Sequence, residues 1–213
     1  MRTPRDSLSP DGLTPAAPAG LDDGQLIARS QSDGTLFAEL YDRHAPALHR
    51  FAARRLGDDA ADDVIAETFL AAFRRREHYD TRRPDARPWL YGIASRVIGR
   101  HRRAEIRRLR ALARIGVDSR VDAGGSDEVD EVDDRLTASG TRPALARALA
   151  ALAPEHRDVL LLVAWADLSY EEVAQALEIR VGTVRSRLNR ARRRVRAELT
   201  ATDPAMFEQG APT

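Results

Sequence analysis

The chain has 213 residues, 43% hydrophobic and 31% charged, and its 34 basic residues almost cancel 33 acidic ones to leave a net charge of +1. That length holds one or two cores, and two small domains is the expected division. The absence of cysteine excludes disulfides, thiolate metal sites and cysteine nucleophiles. No apolar run approaches membrane-spanning length, so a cytoplasmic location is expected.

Residues 1–21 hold four prolines and no apolar periodicity, and they are expected to form a disordered extension with no targeting signal. Residues 22–115 read as helical throughout. In "TLFAELYDRHAPALHRFAARRLG", Leu36, Leu40, Leu48 and Phe51 fall near one face and Gly57 ends the pattern. Pro46 sits inside it, where the missing N–H favours a kink. "DDAADDVIAETFLAAFRRR" follows, with aspartates in its first turns and Arg74, Arg75 and Arg76 in its last, both suited to the helix dipole. Pro88 opens a helix expected to run to Arg114, with Trp89, Ile93 and Val97 on its core side.

Residues 116–140 lack periodicity and are expected to form a flexible linker. From Val117 to Asp134 it carries eight acids against Arg120. As a free coil it would span about 25–30 Å, and about 80 Å extended. Residues 141–200 resume as four helices, Pro154 opening the second, and residues 201–213 form a short tail. Ser169 and Glu172 make a capping box for a helix to about Leu177. A turn then leads to a helix from about Gly182, whose Val184, Leu188, Ala191 and Val195 form one apolar stripe. With no strand pattern, the expected fold is all-α: two small helical domains joined by a flexible acidic linker, the C-terminal one containing a helix-turn-helix.

The charges are segregated. Arg180 to Arg196 holds eight arginines and no acid, and Arg87 to Arg114 holds nine against Glu105. In the last helix Arg185, Ser186, Asn189, Arg190, Arg193 and Arg196 point away from the apolar stripe. A basic second helix of a helix-turn-helix fits the DNA major groove, where arginine and asparagine read base edges and other arginines hold phosphates. In the first domain Arg96, Arg100, Arg103, Arg107, Arg110 and Arg114 alternate spacings of four and three, a ridge on one helix. Its five like-charge pairs would cost about 1–2.5 kcal/mol in isolation, a cost that a phosphate backbone removes through counterion release. A solvated basic face is the plainer account of either run. Trp89 and Tyr91 precede the ridge and could stack on bases, although core packing is the more ordinary role for Trp89.

"LSYEEVAQAL" followed by "VGTVRSRLNRARRRVRAEL" resembles the C-terminal promoter-binding domain of extracytoplasmic-function (ECF) sigma factors of bacterial RNA polymerase. "DDVIAETFLAAFRR" is similar to that family's polymerase-binding helix, and "RPWLYGIASRVIGRHRR" to its segment for the upstream edge of the transcription bubble. The resemblance covers about residues 22–199. It departs from the family at Ala66 (usually glutamine), Arg96 (usually asparagine) and Glu178 (often glycine), the last at a turn where a left-handed backbone suits glycine. It implies an alternative sigma factor that binds core RNA polymerase and promoter DNA, with an anti-sigma factor as a further partner. On this reading Asp63, Glu67 and Phe69 meet the polymerase, and Trp89, Arg96, Arg100, Arg103 and Arg107 engage the −10 element. Arg180, Thr183, Arg185, Ser186, Arg187, Asn189, Arg190 and Arg193 bind the −35 element. The acidic linker either competes with phosphates for the arginine faces in the free protein or acts as a plain spacer.

The alternative is a two-domain helix-turn-helix regulator binding DNA without polymerase, which leaves the first domain's basic ridge unexplained. An enzyme is not expected. Asp59, Asp62 and Asp63 are ordinary first-turn acids, and neither His44 with His49 nor His78, His101 and His156 has metal-ligand spacing. No cofactor, metal, membrane insertion or small-molecule substrate is expected.

Overall fold

The computed structural model describes residues 20–118 and 141–202. The linker expected at 116–140 lies almost wholly outside the described residues, as do residues 1–19 and 203–213. The described residues form an all-α protein of two small helical domains. The first comprises α1 (Asp23–Ser30), α2 (Phe37–Leu56), α3 (Asp58–Arg75), α4 (Arg87–Arg100) and α5 (Arg102–Asp118). The second comprises α6 (Thr141–Ala151), α7 (Pro154–Ala164), α8 (Tyr170–Leu177) and α9 (Val181–Thr202). No helix among the described residues is long and apolar enough to cross a membrane.

Sequence signals account for most helix ends. Asp22 caps α1 in a box with Gln25, its carboxylate accepting from the Gln25 N–H at 2.8 Å. Gly57, at φ 97°, separates α2 from α3 with no intervening loop, a backbone that suits glycine. Pro46 lies on the exposed side of α2, and the helix runs through it, held by buried Leu40, Leu48 and Phe51 on the opposite face.

The helix expected from Pro88 to Arg114 is two helices. His101, at φ −87° and ψ 13°, ends α4, and its carbonyl accepts from Ala104 and Glu105 to start α5. The arginine ridge is therefore interrupted between Arg100 and Arg103. The break serves packing, because it turns the stripe Glu105, Leu109 and Ala113 of α5 inward, where all three are buried.

In the first domain Leu40, Leu48, Phe51, Val64, Leu90 and Ile98 are at most 1% exposed, each contributing about 1.5–3 kcal/mol of burial. Val159, Leu162, Val173, Val184, Leu188 and Ala191 centre the second. The two cores join in one cluster, α4 packing on α8 and α5 on α6.

Candidate nucleic-acid interface

α8 and α9 form the expected helix-turn-helix. The Ser169 hydroxyl accepts from the Glu172 N–H at 3.2 Å, and the Glu172 carboxylate accepts from the Ser169 N–H at 2.7 Å. Glu178 ends α8 in the left-handed conformation, at φ 55° and ψ 43°, which costs a non-glycine residue about 1–2 kcal/mol. The next N–H, of Ile179, reaches back to the Ala174 carbonyl at 3.0 Å and closes the turn. Val184, Leu188 and Ala191 then fix the rotation of α9 by burial.

That rotation exposes Arg180, Arg185, Ser186, Asn189, Arg190 and Arg193 and leaves Thr183 and Arg187 half-buried. Arg194 pairs with Glu198 at 3.2 Å, whereas Arg185, Arg190 and Arg193 have no carboxylate partner among the described residues. A face of unpaired guanidinium groups around an amide and a hydroxyl can bind a polyanion and read base edges.

The first domain's candidates are more dispersed. Trp89 is half-buried and packs on Tyr79 with ring centroids 4.9 Å apart, the core role. Arg96 and Arg100 are exposed on α4, and both are paired: Arg96 Nη2 lies 2.5 Å from Glu178 Oε1, and Arg100 bonds Glu67. Arg103 and Arg107 lie beyond the break and are exposed on α5.

On α3, Asp63 and Glu67 are exposed, in line with Asp59, Ala66 and Leu70. Phe69 is buried, 6% exposed, beneath the exposed ring of Tyr41, with centroids 4.7 Å apart. It therefore supports this surface from below. Between α2 and α3 lies an open groove of about 540 Å³, lined by Tyr41, Asp42, Pro46, His49, Ile65 and Ala66 among others. Tyr41 and Leu70 are large apolar side chains left 45% and 49% exposed, so this face combines carboxylates with uncovered apolar area.

A buried ion network joins the domains, and no residue in it was singled out from sequence as a site. Arg55 Nε donates to Glu105 Oε1 and Arg55 Nη2 to Asp158 Oδ1, both at 2.6 Å, while Arg157 Nη1 donates to Glu105 Oε2 at 2.8 Å. Arg157 also donates to the carbonyls of Leu149 and Leu152 at the end of α6. Burial alone would lower the Arg55 pKa, but the Asp158 and Glu105 carboxylates outweigh it and raise it. One signal could have found the network: Glu105 is the lone acid among nine arginines. Among the described residues, no group of three or more histidine, aspartate or glutamate side chains is arranged to hold a metal ion.

Residues 40–108 match the family model for sigma-70 region 2, and residues 142–195 match that for sigma-70 region 4. The chain is 38% identical over 177 residues to the ECF RNA polymerase sigma factor SigL of Mycobacterium tuberculosis, covering 82% of this chain and 95% of that protein. It is 29% identical to the RNA polymerase sigma factor CnrH of Cupriavidus metallidurans, covering 84% and 96%. Among solved structures it is similar to CnrH in complex with the cytosolic domain of CnrY, with a TM-score of 0.58 and 27% identity, covering 84% and 97%. It shares its fold with the sigma factor RpoE of Bartonella quintana, solved with the anti-sigma factor NepR, at a TM-score of 0.52 and 23% identity, covering 77% and 96%.

Proposed function

The chain belongs to the ECF sigma factors, the alternative sigma factors that direct RNA polymerase to promoters, and from that premise we propose a division of labour among its surfaces. α9 lies in the major groove of the −35 element. Arg185, Ser186, Asn189 and Arg190, near its N-terminus, read bases, while Arg193 and Arg196 hold phosphates. The first domain binds the polymerase through the α2–α3 face, with Asp63 and Glu67 supplying charge and Tyr41, propped on Phe69, supplying apolar area. α4 and the start of α5 engage the −10 element through Arg96, Arg100, Arg103 and Arg107. Trp89 takes a core role there and sets the position of α4. The protein acts in the cytoplasm and catalyses nothing itself.

The observation that carries the reading is the unpaired arginine face of α9 on a capped helix-turn-helix, in a chain that also matches region 2. A regulator acting without polymerase would leave that second match without a role. CnrH was solved with the cytosolic domain of CnrY, and an anti-sigma factor is the expected further partner here.

Run-off transcription with purified core polymerase on a genomic library tests the function. Defined transcripts that require the chain are expected, together with gel shifts of the recovered promoters that need core enzyme. Equal shifts without polymerase and no transcripts would establish the stand-alone regulator instead.

A further inference from the structure

The groove between α2 and α3 is lined mainly by hydrogen-bond acceptors over an apolar floor. Asp42 and Pro46 both line it, and Pro46 sits inside α2, where its ring nitrogen carries no proton. The Asp42 carbonyl, four residues back, therefore lacks its helical donor. A free backbone acceptor thus stands between two groove residues. The carboxylates of Asp42 and Asp62 add to it, and Tyr41, Ile65 and Ala66 supply apolar surface. Ala66 is where the family usually has glutamine, and its methyl group leaves unfilled the space that a longer side chain would enter.

His49 is the basic group of the groove. Its Nε2 lies 3.2 Å from Asp62 Oδ1, and Asp62 is 85% exposed. An ion pair that open to water contributes little, so a better-matched cation displaces it readily. Guanidinium is such a cation, because its planar fork meets two acceptors at once and its face stacks on aromatic rings. Tyr41, tilted on Phe69 and exposed, offers a ring at the groove. An ammonium is a compact, strongly hydrated charge and gains less there.

We propose that the α2–α3 groove is a receptor for one arginine side chain of the polymerase, its guanidinium held by the Asp62 carboxylate and the Asp42 carbonyl once His49 yields Asp62. The proposal rests on the polymerase-docking reading above and names the chemistry which that surface accepts.

In the free chain, the imidazole NMR signals of His49, identified by their loss in His49→Ala, should move on titration with N-acetyl-arginine amide. They should move much less with the lysine analogue, and little with either compound in Ala66→Gln, whose side chain enters the groove. In docking titrations with core polymerase, Asp62→Asn and Ala66→Gln should each weaken binding about tenfold. His49→Ala should tighten it about threefold by removing the competitor for Asp62. Pro46→Ala separates binding from folding. It returns an N–H to the Asp42 carbonyl, so thermal unfolding should move up, while docking should weaken about threefold. A folding defect cannot produce that pair of changes. Equal shifts with the arginine and lysine compounds, or none with either, would overturn the receptor. So would a Pro46→Ala variant that docks as tightly as the parent. The NMR titration contains no polymerase, and Asp63 and Glu67 are not among the groove residues. If the groove variants dock normally while Asp63→Arg with Glu67→Arg abolishes docking, the receptor is overturned and the docking reading stands.

Discussion

Asp23 shows how much one carboxylate can organise. Its Oδ2 accepts from the Ala86 N–H at 2.9 Å and from His44 Nε2 at 2.8 Å, and its Oδ1 accepts from Arg43 at 3.3 Å, so α1, α2 and the start of α4 meet on it. Burial pushes its pKa up, but the bonds from His44 and Ala86 and the nearby charges outweigh that and hold it below the ordinary 3.8. A depressed carboxylate stabilises the fold above its unfolded pKa and loses that contribution as pH falls through the folded value. Asp23→Asn should cost about 1–3 kcal/mol at neutral pH in urea titration. The gap to the parent should narrow below about pH 4, because the parent alone has that carboxylate to protonate. On α9, Arg185→Ala should cost about 1–3 kcal/mol at one or two promoter positions, and Arg196→Ala should weaken all sequences alike and reduce the salt slope by about 1. Identical sequence preferences for the two variants in a promoter-mutation scan would remove the distinction between readers and phosphate holders.

At the scale of elements, α3 and α9 are each two-sided, and their outer sides carry opposite charge. α3 buries Ala61, Val64, Ile65, Thr68, Phe69 and Ala72 and presents Asp59, Asp62, Asp63 and Glu67. The substitution pair Asp63→Arg and Glu67→Arg should leave the circular dichroism spectrum helical, since neither residue is in the core. It should abolish co-purification with core polymerase, and retained co-purification would remove α3 from the interface. This two-sidedness is legible in the sequence, because helical periodicity separates buried from exposed positions whatever the partner. Which exposed positions remain unpaired is not legible. Glu67 is joined to Arg100, 33 residues away, and Phe69, within the segment that resembles the family's polymerase-binding helix, points inward beneath Tyr41.

For the whole molecule, stability and conformational state are coupled at Glu105. With its two oxygens committed to Arg55 and Arg157, neutralising it leaves the buried Arg157 guanidinium without its paired carboxylate and Arg55 with Asp158 alone, a loss of about 3–5 kcal/mol. That loss falls on the contact between the domains. Calorimetry of Glu105→Gln should therefore resolve two unfolding transitions where the parent shows one. A single transition shifted as a unit would mean that Leu109 and Ala113 hold the domains together without the ions.

By itself the sequence determined the all-α fold, the helix-turn-helix with its capping box, and the outward face of α9. These follow from residue type and spacing within one or two turns. It also marked Glu178 as an unusual occupant of a left-handed turn, and the backbone there is left-handed. The tertiary structure decided the rest. His101 breaks a helix whose periodicity runs on unbroken, because burying Glu105 against Arg55 requires a change of direction. Gly92 looks like an ordinary helical glycine until Ala176 is packed on it. Arg96 reads as a free cation, yet in the packed chain it pairs with Glu178, 82 residues on. Local periodicity specifies which side of a helix faces inward, but long-range ion pairs depend on two such faces meeting, and that meeting is a property of the packed chain.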